Sequence, residues 1–180
     1  MKTNILNIIL ALFSFSCSAQ RVREKGEFFE KKVDNTNTMH VEINTRSYEN
    51  FYKRTVENLN KIIVKKKDYY GKPLSLFLGD LQKENLKIIE GYSSDAFTNN
   101  ALSLYFLDWD TSNSLKNRAI PSITVTFEKP FDGKEVQKIT KDNQARWNEN
   151  LINFYKGMII KEIRFYNISG VNVTKNAVVK

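Results

Sequence analysis

The chain has 180 residues, a formal net charge of +8, one cysteine and one histidine. This length suits one domain with a core large enough to fold without disulfides or metals. Because Cys17 is the only cysteine and His40 the only histidine, the sequence excludes an internal disulfide, a cysteine-based zinc site and a multi-histidine metal site. We expect no cofactor, since the chain has no nucleophile motif and no glycine-rich phosphate loop.

Residues 1–19 have the layout of a bacterial secretory signal. Lys2 precedes a short apolar stretch at 5–13, and a run of small residues then ends at Ala19. The apolar stretch is shorter than the roughly 20 residues that a permanent membrane-spanning helix needs. We therefore predict an exported protein, periplasmic or secreted, from which residues 1–19 are removed.

Two cleavage sites compete in this signal. Cleavage after Ala19 leaves Gln20 as the first residue, and both Ala19 and Cys17 are small enough for a signal peptidase. Cleavage before Cys17 would instead allow its thiol to carry lipid and anchor the protein to a membrane. The residue three places before this cysteine is Ser14, where lipoprotein signals usually have leucine, so cleavage after Ala19 fits the residues better.

The first half of the chain is predicted to be mainly helical. Residues 20–38 are polar, and we interpret them as a partly disordered leader with a short helix around 24–32. The segment 39–44 alternates apolar and polar residues, which predicts a strand. Ser47 is placed to cap a long amphipathic helix, and a second, shorter helix is predicted to begin at Pro73.

The second half of the chain changes to the period of strands. We predict strands over 86–92, 101–109, 122–128 and 159–168. A polar loop is predicted at 110–121, and a third helix, capped by Thr140, precedes the last strand. Residues 171–180 are interpreted as a tail or an edge strand.

The order of these elements, β-α-α-β-β-β-α-β, indicates an α+β fold. We expect one antiparallel sheet of about four to five strands, with two to three helices packed on one of its faces. Residues 39–170 would form this single α+β domain.

A short oxygen-rich segment is the candidate metal site. Asp108, Asp110 and Ser112 alternate along the chain as in the first half of a calcium-binding loop. The full loop also needs glycine at its sixth position and glutamate at its twelfth, which here are Asn113 and Ala119. The hypothesis is therefore a looser divalent-cation site rather than an EF-hand.

Asp108 and Asp110 also form a candidate pair for acid–base catalysis. A hydrolase of this kind would require one carboxyl to be buried in a pocket beside the other. Asp95 and Glu90 could join the pair only if the strands form an antiparallel meander. The alternative is that these carboxylates are solvated groups at the end of a strand.

Aromatic residues are the candidate binding residues. Tyr92, Tyr105 and Trp109 are rich in contact area and keep a polar group, as is favoured at binding surfaces. If Leu104 and Phe106 face the helices, Tyr105 lies on the open face of the sheet, together with or near Trp109. The alternative is that these rings complete the core.

These observations favour a small exported envelope protein that acts as a binding module, such as a periplasmic partner, an inhibitor or an immunity-like protein. Its positive charge favours an acidic protein as partner, and an open aromatic face favours a cell-envelope glycan. Export argues against nucleic acid, and a membrane is involved only if Cys17 is lipidated. The alternatives are an envelope hydrolase using Asp108 and Asp110, and a lipid-anchored glycan-binding or structural protein.

We predict that the protein isolated from the cell begins at Gln20 and carries no lipid. Intact-mass spectrometry of protein purified from the envelope measures this directly. A product heavier by the hundreds of daltons that acyl chains add, and lighter again in a Cys17→Ser variant, would contradict cleavage after Ala19.

Overall fold

The computed structural model describes residues 29–33, 39–93, 99–115, 118–143 and 145–168. The predictions for residues 1–28 and for the tail at 171–180 lie outside these residues. The chain divides into two compact units, and the boundary falls between Phe51 and Tyr52 inside the first helix.

The first unit contains a two-stranded antiparallel sheet. Strands β1 (Phe29–Val33) and β2 (Met39–Ile43) pair along their whole length. The strand predicted at 39–44 is therefore confirmed. The helix predicted around 24–32 is wrong over residues 29–32, because there the backbone pairs with β2 instead of with itself.

The remaining elements follow in chain order. They are α1 (Thr45–Ile63), a single 3-10 turn (Lys66–Tyr69), α2 (Leu74–Lys83), β3 (Glu90–Ser93), β4 (Ala101–Tyr105), α3 (Trp109–Ser114), β5 (Ser122–Phe127), α4 (Gly133–Asn143), α5 (Glu149–Tyr155) and β6 (Ile160–Tyr166). None of the helices in the described part of the chain combines the length and apolarity needed to cross a membrane.

The second unit is built on a four-stranded antiparallel sheet in the order β3-β4-β5-β6. The sheet is thus a meander in which each strand pairs with its neighbour in the chain, and the predicted α+β fold is confirmed. The predicted order lacked β1 and α3, and it merged α4 and α5 into one helix.

Three helix boundaries differ from the sequence prediction. The cap of α1 is Asn44, whose Oδ1 accepts from the Ser47 N–H at 2.9 Å, so Ser47 is not the cap. Thr140 lies inside α4, where its hydroxyl donates to the Val136 carbonyl at 2.9 Å. Asn148 instead caps α5 and accepts from the Leu151 N–H. The error arises because several polar side chains near each helix start can cap equally well.

Helices cover one face of the sheet. The side chains that point to this face are buried: Leu102, Leu104, Ile123, Val125, Phe127, Ile163 and Phe165. Tyr155 of α5 stacks on Phe127 at a centroid distance of 5.8 Å, and Phe131 meets Tyr155 edge-on at 5.3 Å. The pairing of β5 with β6 is interrupted by a bulge opposite Thr126 and Phe127.

A carboxylate joins the 3-10 turn to α2. Asp80 accepts hydrogen bonds from Tyr69 Oη at 2.7 Å, Lys83 Nζ at 2.8 Å and Lys65 Nζ at 3.2 Å. The hydrogen bond from Lys83, followed by those from Tyr69 and Lys65, holds the pKa of Asp80 well below its ordinary value. Asp80 therefore stabilises the folded chain only while it is ionised.

We predict that Asp80→Asn lowers the free energy of unfolding at neutral pH by about 1 kcal/mol. Because the folded pKa lies below the unfolded one, this contribution is complete above pH about 4 and is lost as the pH falls further. Urea unfolding of both proteins should therefore show a difference that shrinks in acid. Asp68→Asn, an exposed neighbour, is the control, and a difference independent of pH would contradict the assignment.

Candidate binding site on the open face of the sheet

The face of the sheet opposite the helices carries polar and aromatic side chains. Cross-strand pairing places one row of residues side by side over all four strands: Glu90, Tyr105, Ser122 and Tyr166. A second row runs beside it: Tyr92, Ser103, Thr124 and Arg164. Directly opposed residues share a face of an antiparallel sheet, so both rows lie on the open side.

A cavity of about 490 Å³ lies on this face. Four aromatic side chains and the hydroxyl residues of β5 contribute to its lining: Tyr92, Tyr105, Trp109, Tyr166, Ser122 and Thr124. Its volume falls in the range of small-molecule sites, and a few polar groups converge within apolar walls as such sites require.

The short helix α3 supplies one wall of this cavity. Asp108 caps the helix: its Oδ1 accepts from the Thr111 N–H at 2.9 Å and its Oδ2 from Thr111 Oγ1 at 2.8 Å. The strand β4 therefore ends before Asp108, and a new helix begins after it. The sequence had predicted a continuous strand to residue 109, followed by a loop. Trp109, the first residue of α3, is left 62% exposed at the cavity.

Glu90 connects α3 to the sheet. The residue is only 7% exposed, and its Oε2 accepts from both Tyr92 Oη at 2.7 Å and the Trp109 N–H at 3.0 Å. Burial, followed by the hydrogen bond to Glu90, raises the pKa of the Tyr92 phenol above its ordinary value. Tyr92 therefore stays protonated as a donor, and its ring meets Tyr105 edge-on at 5.7 Å.

Ser112 contributes to the cavity wall, but its hydroxyl does not open into the cavity. The Oγ atom is buried and has no hydrogen-bond partner among the described residues. Buried hydroxyls are nearly always paired, because an unpaired one costs the desolvation of the group. This hydroxyl therefore costs its desolvation without being exposed to a ligand.

The two carboxylates of this segment, Asp108 and Asp110, have different surroundings. Both oxygens of Asp108 are occupied by Thr111, whereas Asp110 is exposed in the first turn of α3. Across the residues that the structure describes, no group of three or more His, Cys, Asp or Glu side chains is placed to hold a metal ion. The metal site at Asp108, Asp110 and Ser112 therefore remains a prediction from the sequence alone.

The structure brings together the three aromatic residues singled out in the sequence. Tyr92, Tyr105 and Trp109 line one cavity, on the open face expected for Tyr105. Sequence reasoning counted Tyr166 among the surplus aromatic residues but did not select it as a binding residue, and it considered Glu90 only as a partner of the aspartates. The signal for Glu90 was its spacing from Tyr92, since residues two apart in a strand share a face. Cys17 and Asp95 lie outside the described residues.

A basic groove borders the same tyrosine. Lys134, Lys138 and Lys141 recur at intervals of four and three on the exposed side of α4, and they line a groove together with Tyr92. None of the three side chains pairs with a carboxylate in the described part of the chain. This stripe presents positive charge beside the aromatic cavity.

No protein-family model, curated protein or solved structure matches this chain. The site must therefore be interpreted from its own geometry.

We predict that Asp108 acts as a helix cap whose acceptor oxygen matters and whose charge does not. Asp108→Ala should lower the free energy of unfolding by about 1 kcal/mol, because Thr111 loses both contacts. Asp108→Asn keeps an oxygen for the Thr111 N–H and should stay close to the parent, as should Asp110→Asn on the surface. Equal destabilisation by Ala and Asn, measured by urea unfolding, would contradict the cap.

Proposed function

We propose that this protein is an exported binding module of the cell envelope, which recognises its partner non-covalently at the open face of the sheet. One observation carries the proposal: four aromatic side chains and Glu90 line one cavity of about 490 Å³ on the open face of the sheet. Aromatic rings provide large contact area at low entropic cost, and a few polar groups among them provide direction.

The exposure of the rings supports recognition over a purely structural role. Trp109 is 62% exposed and Tyr166 is 44% exposed, although the opposite face of the same sheet offers a packed core. Exposed large rings that cluster around a concave site are typical of interaction surfaces.

The hydrogen bonds of Asp108 support binding over hydrolysis. An acid–base pair requires both carboxylates to reach a substrate, and each oxygen of Asp108 already accepts from Thr111. Export is supported by the signal-like residues 1–19, with lipid attachment at Cys17 as the alternative route to the envelope.

A second candidate function is the inhibition or protection of an acidic protein. The stripe of Lys134, Lys138 and Lys141 favours it, because the three cations lie along one side of α4 without an opposing carboxylate among the described residues. Electrostatic complementarity of this kind accelerates association and is weakened by salt. An inhibitor or an immunity-like protein would use such a surface.

Capture from envelope extract separates the two surfaces. The full-length chain, tagged and processed by the cell, is used as bait, and bound protein and cell-wall material are quantified. We expect Trp109→Ala to lower the captured amount at least about fivefold, as for an aromatic hot spot. The matched control is Leu76→Ala, which removes an equally exposed apolar side chain (52%) outside the cavity.

The second candidate predicts a different pattern. Replacement of Lys134, Lys138 and Lys141 by glutamine would abolish capture of an acidic protein, and high salt would do the same in the parent. Capture that is unaffected by Trp109→Ala would overturn the proposal that the aromatic cavity is the binding site.

A further inference from the structure

Glu90 is a buried carboxylate that no described cation neutralises. Within the described part of the chain, its carboxylate accepts only from the Tyr92 phenol and the Trp109 amide. The backbone of Arg146 lies opposite Glu90 in a β-bridge, but no ion pair joins the two side chains. Arg164, on the same face of the sheet, is held by Glu162 through two hydrogen bonds of 2.9 and 3.0 Å. Burying a carboxylate is costly unless a positive charge or several donors compensate it.

Half of this carboxylate is unused. Both hydrogen bonds to Glu90 end on Oε2, and Oε1 has no donor among the described residues. An ionised carboxylate can accept about four hydrogen bonds, so a donor brought by a ligand would find a free acceptor.

The surrounding rings suit a positive charge. Tyr92, Tyr105, Trp109 and Tyr166 line the cavity, and among its described lining residues only Glu90 is charged. Aromatic faces attract organic cations, and the attraction grows when the cation is removed from water. A neutral sugar would use the rings but would bring no positive charge to pair with Glu90.

We propose that the cavity binds an alkylammonium group, with Glu90 as its counter-ion and the aromatic rings as its walls. This inference rests on the proposed function and specifies the chemistry of the ligand. The group could belong to a free amine or quaternary ammonium compound, or to a lysine side chain of a partner protein, and the test distinguishes these sources.

Calorimetric titration of the full-length protein tests the charge directly. Choline is compared with its uncharged isostere dimethylbutanol, in which carbon replaces the nitrogen and the shape is kept. We expect choline to bind at least about tenfold more tightly, because only the cation gains from Glu90 and the rings. Equal binding of the two compounds would overturn the inference.

Two further probes identify the source of the group. Acetyl-lysine amide, acetylated on its backbone nitrogen, represents a partner's side chain, and butylamine represents a free primary amine. Tighter binding of the lysine compound indicates a protein partner, whereas tighter binding of choline or butylamine indicates a small molecule. Either result supports an ammonium site.

Matched variants assign the binding to this cavity. Glu90→Gln keeps the shape and an acceptor for Tyr92, and it should weaken choline binding at least about tenfold. Glu128→Gln makes the same change in charge at an exposed position outside the cavity and should have no effect. Trp109→Ala should weaken binding about fivefold, and because Trp109 is exposed this variant remains informative if Glu90→Gln fails to fold.

Two experimental outcomes distinguish failure of the ammonium site from failure of the proposed binding function. If no ammonium compound binds while envelope capture still depends on Trp109, the cavity is a binding site for a different chemistry. If choline binds equally to the parent and to Glu90→Gln, the role of Glu90 as counter-ion is wrong.

Discussion

The site depends on one oxygen atom, Oε2 of Glu90. It accepts the Tyr92 phenol from its own strand and the Trp109 amide from the start of α3. The bond from Trp109 ties the start of this six-residue helix to the first strand of the meander, and the bond from Tyr92 holds the carboxylate in place within that strand. Burial of Thr111 and Leu115 anchors the rest of the helix, so Glu90 defines the wall of the cavity at Trp109. The Glu90 carboxylate, a group that is usually exposed, is thus buried and positions Tyr92 and Trp109 through these hydrogen bonds.

The two faces of the sheet differ in how closely they are packed. On the helix side the packing is close enough to require glycine at position 91, where a Cβ atom would lie 2.6 Å from the Trp147 ring. On the open side, Ser103 and Thr124 pair through their hydroxyls at 2.9 Å, and the rings remain partly exposed. Stability can rest on the buried face, which leaves the open face available for the binding proposed above.

Much of the architecture follows from local patterns in the sequence. The alternation of Ile123, Val125 and Phe127 identified β5 and its buried face, and the three-and-four spacing of apolar residues identified α1. The short helix α3 could not be found this way, because its six residues Trp-Asp-Thr-Ser-Asn-Ser have no apolar period. The candidate rings were identified from residue type, but the contact between Glu90 and Trp109 joins residues 19 apart and depends on the cap at Asp108. No spacing rule encodes such a contact.

The most direct test of this account is the amide NMR spectrum of the protein titrated with choline. If the ammonium group sits at Glu90, the Trp109 amide, which donates to the same carboxylate, should show one of the largest shifts. The amides of β3 near Glu90 should shift with it, and those of the lysine stripe on α4 should not. Shifts confined to α4, or none at saturating choline, would contradict the assignment of this cavity as the binding site for an alkylammonium group.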